Sequence, residues 1–257
     1  MTINYYTATT FINPKISYGF FTRKDGFSFN NYTSLNCSYS SGDQYIAVKK
    51  NIEQAQRKLH LEIKNLKLIN QIHSNKVIII NEKNFKKKFE ADGMITQDKN
   101  ISIAVLTADC CPIFLFDEEA SFISCLHAGW KGCYINIVEN ALKKIKHIQP
   151  STKKINAIIG PCLNKINFEV NNDLKEKFIK KVSSYENFFV AKKQNNKFLF
   201  DMQGLIKFQL LKNDITNTES IELDTYSNKE LFFSHRRSTH DNKIPTGRMI
   251  NIIGFNK

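Results

Sequence analysis

The segment Ile101–Asp117, ISIAVLTADCCPIFLFD, restricts the fold more than any other part of the chain. On each side of a short interruption it is nearly all apolar and rich in β-branched and aromatic residues, the pattern of strands buried on both faces. Pro112 denies a ladder hydrogen bond at the interruption. A buried strand pair has no use for an aspartate and two cysteines unless chemistry or a metal requires them. The stretch SFISCLHAGWKG (121–132) adds another strand, ending in His127, two glycines and the only tryptophan, Trp130.

The remaining elements are read from periodicity. ISYGFFTRKDGFS (16–28) is a strand running into a turn, and LKLINQIHSNKVIII (66–80) is a strand, a polar interruption and a second strand. Residues 41–61 read as a helix capped by Asp43, with Ile46, Ile52, Ala55 and Leu59 on one face. GCYINIVENALKKIKHI (132–148) has the three-and-four spacing of one amphipathic helix through Ile135, Val138, Leu142 and Ile145. INAIIGPC (155–162) is a buried strand ending in a turn, and 171–182 and 201–213 are helices. ESIELD (219–224), LFFSH (231–235) and RMINIIG (248–254) read as short closing strands. Strands and helices interleave without strict βαβ alternation, so a mixed α+β fold is expected, α/β in the broad sense, with one domain over 1–257.

With 42% hydrophobic residues the chain can close a sizeable core. Its formal charge is +13, but the lysines are scattered along the whole length rather than repeated on one helix face. That favours a composition bias over a nucleic-acid-binding stripe. The six cysteines include no CxxC pair, and Cys110 and Cys111 are adjacent, a poor disulfide geometry. The opening MTINYYTATTFINPKISYGFF lacks a charged region followed by an apolar one. No apolar run reaches the length of a membrane span. Reduced thiols in a cytoplasm, and a monomer, are expected.

Three polar interruptions fall at strand ends: His73 in NQIHSNKV, Cys110 in TADCCP and His127 in HAGWKG. Two imidazoles and a thiolate suit zinc with an open fourth position, and copper accepts the same donors. The alternatives are a hydrogen-bonded structural histidine at each position and a buried cysteine acting as a small hydrophobe. Without a metal, Cys110 is a candidate nucleophile activated by His127.

NQIHSNKV, ADGMIT, TADCCPIFLFD, HAGWKG, IGPCLNKINFEV, SHRRS and TGRMINIIG occur in this order. Together they closely resemble the YfiH-type laccase-domain family, once called multicopper polyphenol oxidases. The resemblance runs from about Tyr18 to Gly254. It implies a single domain of layered β-sheets flanked by helices, similar to the catalytic domain of a bacterial deamidating toxin. It implies metal binding, usually of zinc, by His73, Cys110 and His127. The implied activities are phosphorolysis of adenosine, inosine and methylthioadenosine, with adenosine deamination. Removal of a wrongly added serine from a peptidoglycan precursor, and copper-dependent phenol oxidation, are the alternatives. With six histidines in all, the chain has few spare ligands for a multicopper cluster.

For phosphorolysis, Arg23 is a candidate phosphate fork or a solvated arginine, and Arg236, Arg237 and Arg248 supply between them one phosphate ligand and one arginine paired with an acid to hold the turn. Lys131 sits where the helix after HAGW offers free N–H groups to an anion. Asp109 is expected to orient His73 or His127, and Asp92 to do likewise or to cap a turn. Glu169 binds ribose, works as an acid/base, or forms a turn salt bridge. Trp130 stacks a purine or packs the core. His60 and His147 are read as solvent-facing. Three departures from the family pattern stand out. Asp25 replaces a glycine, Asp224-Thr225 replaces a Cys-Thr pair, and His235 replaces a tyrosine, either as an extra ligand or as a packing substitute.

Overall fold

Two sheets lie face to face because their central strands carry apolar side chains on both sides. The computed structural model describes residues 4–152, 154–192 and 196–256. Residues 1–3, part of both the expected domain and the N-terminal stretch read for a signal, lie outside the described residues, as does residue 257. In chain order the elements begin β1 (Tyr5–Tyr6), β2 (Ile16–Phe21), α1 (Tyr45–Lys58), β3 (Leu66–Lys67), β4 (Val77–Ile80), β5 (Gly93–Thr96) and β6 (Ser102–Thr107). Next come β7 (Cys111–Asp117), β8 (Ile123–Ala128), α2 (Trp130–Tyr134), α3 (Ile137–Ile148), β9 (Ile155–Ile159), β10 (Glu169–Asn171) and α4 (Asn172–Lys181). The chain closes with β11 (Phe189–Ala191), β12 (Lys197–Phe200), α5 (Met202–Leu211), β13 (Asn217–Ser220), α6 (His235–His240) and β14 (Met249–Phe255).

One sheet has the order β1-β2-β14-β6-β3, the other β13-β9-β7-β8-β5-β4, and a small sheet pairs β10, β12 and β11. β7 lies antiparallel between β8 and β9. Its side chains alternate. Cys111, Ile113 and Leu115 join the core under the helices, while Phe114 and Phe116 enter the seam between the sheets. In that seam Phe20 stacks on Phe114 with ring centroids 4.4 Å apart. α1 covers the outer face of the first sheet through Val48, Ile52 and Ala55. α3, α5 and the small sheet cover the second through Val138, Ile145, Leu205 and Phe200. The result is the mixed α and β layering the sequence predicts. No helix among the described residues is long and apolar enough to cross a membrane.

Several local expectations differ from the structure. Asp43 does not cap α1. Gln44 is the N-cap, and the Asp43 carboxylate takes hydrogen bonds from Asn36 Nδ2 and Gln44 N. Ile46 is 68% exposed, and Ala47 and Val48 take its place on the buried face. The single helix over 132–148 is two, because Asn136 adopts a left-handed φ of 58°. Its side chain accepts from Glu139 N and so caps α3, a signal present in the spacing Asn-x-x-Glu. The strand expected at 219–224 lies earlier, at Asn217–Ser220, where it pairs in parallel with β9. LFFSH forms no strand. Phe232 and Phe233 are buried from a loop, and Ser234 caps α6 by accepting from Arg237 N. Pro112 stands inside the start of β7 rather than in the break, and its carbonyl still accepts from Gly160 N.

Phe114→Ala should therefore cost about 3–5 kcal/mol in denaturant unfolding, as a cavity between two rigid sheets. Ile46→Ala should stay within about 0.5 kcal/mol. Equal losses at the two positions would contradict this layering.

Candidate active site

Asp92 immediately precedes β5 and is fully buried. Its carboxylate accepts hydrogen bonds from the backbone N–H groups of Ile72 (3.3 Å), His73 (2.9 Å) and Ser74 (2.6 Å), and from the Ser74 hydroxyl (2.7 Å). It also lies 2.9 Å from His127 Nδ1, while its backbone carbonyl accepts from His127 N at 2.7 Å. One side chain thus fixes the loop carrying His73 and the ring of His127. Both readings of Asp92, turn cap and histidine orienter, hold at once. Gln71 completes the clamp. Its amide donates to Leu106 O (2.8 Å) and accepts from Leu106 N (2.7 Å), imitating a strand pair at the end of β6. His73 is held at a φ of 57°, with its ring projecting outward.

Between β6 and β7 the chain crosses from one sheet to the other, and Cys110 sits on that crossing. Gly129 lies against it, and a Cβ there would stand 2.9 Å from Cys110 Sγ and 3.2 Å from His73 Cδ2. Glycine at this point lets the strand end approach the thiol. The donor atoms of His73, Cys110 and His127 all lie within 4.8 Å of one another, with His73 Nε2 3.9 Å from Cys110 Sγ. His73 is exposed, Cys110 half-buried and His127 buried, so the trio opens outward.

The electrostatics favour an ion pair. Burial alone pushes the Cys110 thiol up, but His127 and His73 outweigh it and bring its pKa down to about 6. Burial pulls His127 down, but Cys110 and Asp92 outweigh that and raise it to about 9. Asp92 is pushed up by burial, yet its hydrogen bonds from His127 and Ser74 hold it at about 2. A thiolate, an imidazolium and a carboxylate in a row are one chemical possibility. The other is a metal held by Sγ and two ring nitrogens, with Asp92 fixing His127 through Nδ1 and leaving Nε2 for the ion.

The trio opens into a cavity of about 400 Å³ lined also by Ser38, Ser40, Asn70, Gln71, His235 and Arg248. Arg248 lies inside it. Its Nη1 donates to the carbonyls of Thr246 (2.9 Å) and Gly247 (3.0 Å), and Asn36 Oδ1 holds its backbone N–H (2.9 Å). His235 lines the wall and is exposed, so it does not pack as the tyrosine substitute expected for it.

Other candidates lie elsewhere. Asp109 orients neither histidine, because its two oxygens are engaged by Thr225 Oγ1 (2.7 Å) and Arg236 N (2.6 Å). Glu169 does not line the cavity. Its exposed carboxylate pairs with Lys192 (2.6 Å) and Lys197 (3.7 Å), the salt-bridge alternative. The Arg236 guanidinium donates to Glu169 O (3.0 Å) and lies over Phe168. Arg237 is the turn brace, through the carbonyls of Thr225, Tyr226 and Phe232 rather than through an acid. Arg23 lies outside this cavity, stacked on Phe233 with 4.3 Å to the centroid. Lys131 is exposed over the Trp130 ring, and Trp130 packs against the core. His60 and His147 are exposed, as expected. Residue-type reasoning missed Gln71, Asn36 and the serines at 38 and 40. Their only sequence signal is polarity within loops beside the site.

In metal-free protein, alkylation of Cys110 by iodoacetamide should titrate near pH 6, well below the usual thiol value of about 8.5. Asp92→Asn should move that midpoint up, and saturating zinc should protect the thiol. A rate rising only with an ordinary thiol pKa, unchanged by Asp92→Asn, would refute the ion pair.

The comparisons with known proteins agree with this architecture. The chain is 30% identical over 229 residues to a purine nucleoside phosphorylase of Rickettsia conorii, covering 89% of this chain and 92% of that protein. A purine nucleoside phosphorylase of Bacteroides thetaiotaomicron is 27% identical over 253 residues, 94% and 92% of the two chains. The crystal structure of a Neisseria meningitidis protein superposes with a TM-score of 0.88 at 27% identity, covering 99% of this chain and 100% of that one. The Bacillus licheniformis hypothetical protein YfiH gives 0.86 at 25% identity over 94% and 93% of the chains. The profile described as multi-copper polyphenol oxidoreductase laccase matches residues 17–256, and the chain belongs to that family.

Proposed function

We propose that this single-domain protein is a metal-dependent purine nucleoside phosphorylase acting on adenosine, inosine and methylthioadenosine, with adenosine deamination in the same cavity. The observation that carries the proposal is the juxtaposition, in one cavity, of the His73–Cys110–His127 donor set and the Arg248 guanidinium. The relatives named purine nucleoside phosphorylase support the substrate class. Six free thiols fit a cytoplasmic setting, and a monomer supplies every group used here. No nucleic-acid or membrane partner enters the reading.

The donor set suits zinc, and copper is the alternative. Bound there, the ion supplies positive charge and Lewis acidity at the cavity floor. The chain's own groups do the rest. Arg248 commits Nη1 to two carbonyls, and its other edge faces phosphate. A phosphate oxygen forms the bond to ribose C1′ as the bond from C1′ to the purine nitrogen breaks, and the departing base takes a proton. His235, on the wall, is placed to give it. In deamination water adds to purine C6, the bond from C6 to the amino nitrogen breaks, and that nitrogen takes a proton and leaves as ammonia.

A second reading has its own support. Cys110, His127 and Asp92 form a nucleophile, base and orienting acid in series, the arrangement of a cysteine hydrolase. Without metal, that array fits removal of a serine from a peptidoglycan precursor. Copper-dependent phenol oxidation has weaker support, since one three-donor group does not make a multicopper cluster.

The test is chromatography of products from each nucleoside with and without phosphate, using zinc-loaded protein. Free base formed only with phosphate, and lost by about a hundredfold or more in Cys110→Ala and Arg248→Gln, is the expected result. Inosine from adenosine without phosphate supports deamination. No product from folded, zinc-loaded protein, with serine released from a muramyl-serine substrate by the metal-free protein, would replace this reading with the second.

A further inference from the structure

A second cavity of about 460 Å³ lies between the turn after β2, residues 229–230 and the far side of α6. It shares no lining residue with the Cys110 cavity. α6 stands between the two, turning His235 to one and Arg237 and Ser238 to the other. Arg23, Lys24, Lys229, Arg237 and Lys243 all line the second cavity. Against them stand two carboxylates, Glu230 and Asp241, and Glu230 is taken by Lys24 at 3.6 Å.

The two guanidiniums form no direct ion pair among the described residues, although Glu230 acts on Arg23, and Asp109, Asp241 and Asp224 act on Arg237. Arg23 donates from Nε to Thr33 O (2.6 Å) and from Nη1 to Lys229 O (3.3 Å), and rests on Phe233. Arg237 donates from both Nη atoms, to the carbonyls of Thr225, Tyr226 and Phe232. Carbonyls fix a guanidinium without cancelling its charge. Both groups are half-buried, and burial together with the charge of Arg237 pulls the Arg23 pKa down to about 10. Holding two such cations beside one cavity costs free energy that an anion would return. Arg23 Nη2 makes no hydrogen bond among the described residues, so it is available to that anion. Asn30, Asn31 and Ser238 add neutral donors and acceptors on the wall, suited to hydroxyl groups. The volume exceeds what a bare phosphate fills and lies in the range of small-molecule pockets.

We propose that this cavity binds a small organic phosphate, its dianionic group held by Arg23 with Lys229 and Lys243, Arg237 adding its charge from the wall, and its polar remainder along Asn30 and Asn31. The site is separate from the reaction at Cys110 and does not depend on it.

Calorimetry with ribose 5-phosphate, inorganic phosphate and ribose tests this on the zinc-loaded protein and on Cys110→Ala. Ribose 5-phosphate should bind both proteins equally and at least about tenfold tighter than inorganic phosphate, and ribose should not bind. Arg23→Gln should weaken binding by about tenfold or more. Because Arg23 also holds the turn, the exposed pair Lys229→Gln/Lys243→Gln provides a second test that leaves the fold intact, with an expected loss of about tenfold. Arg248→Gln should leave the affinity unchanged. Absence of binding to the folded protein, equal affinity for inorganic phosphate in Arg248→Gln protein, or loss with Arg248→Gln but not with the lysine pair would overturn the proposal.

Discussion

The buried carboxylate of Asp92 is the constraint on which the site rests. A fully buried charge is tolerated only when its lone pairs are filled, and here five donors fill them. Three are consecutive backbone N–H groups, so the loop at 72–74 must curl around the acid, which brings His73 to its left-handed φ of 57°. The remaining contacts are the Ser74 hydroxyl and the His127 ring. Asp92 sets the backbone of His73 and the ring of His127 from one point at the start of β5. Removing it would leave three loop N–H groups, the Ser74 hydroxyl and a ring nitrogen without their shared partner.

The cysteine side of the trio depends on a second carboxylate in the same way. Asp109, at a φ of 88°, occupies the step from one sheet to the other. Its oxygens tie that step to Thr225 and to the backbone of Arg236 at the start of α6. The neighbouring thiol is thereby held against Gly129, where any side chain would collide with it. Two aspartates, each spent on backbone and hydroxyl donors, define the geometry between the reactive groups. The reactive groups themselves contribute little to it.

Much of this could be read from the residues. Continuous apolar runs located the buried strands, and polar interruptions at strand ends located His73, Cys110 and His127. The carboxylate assignment failed for a physical reason: adjacency in sequence put Asp109 next to Cys110, but a left-handed backbone turns its side chain toward α6. Asp92, distant in sequence from His127, reaches it through the pairing of β5 with β8, where Gly93 lies opposite Leu126. Such a contact follows from sheet register, which residue spacing does not encode. LFFSH failed because an apolar run carries the same signal whether it is buried as a strand or as a loop, and Ser234 ends it as a helix cap. The break at Asn136 was legible in principle, since Asn-x-x-Glu is a capping pattern hidden inside a helical periodicity.

The arginines show what decides between a structural and a binding role. Arg23, Arg236, Arg237 and Arg248 all donate to main-chain carbonyls, so those bonds alone do not separate the two. What separates them is the edge left over. Arg237 uses both Nη atoms on three carbonyls and braces the turn before α6. Arg248 spends only Nη1, on carbonyls of its own turn, and lines the cavity of Cys110. Arg23 leaves Nη2 without a hydrogen bond among the described residues and lines the opposite cavity, across α6. The carbonyl bonds hold each guanidinium in advance, which lowers the entropy lost when an anion arrives, and the unspent edge sets which cavity the anion enters.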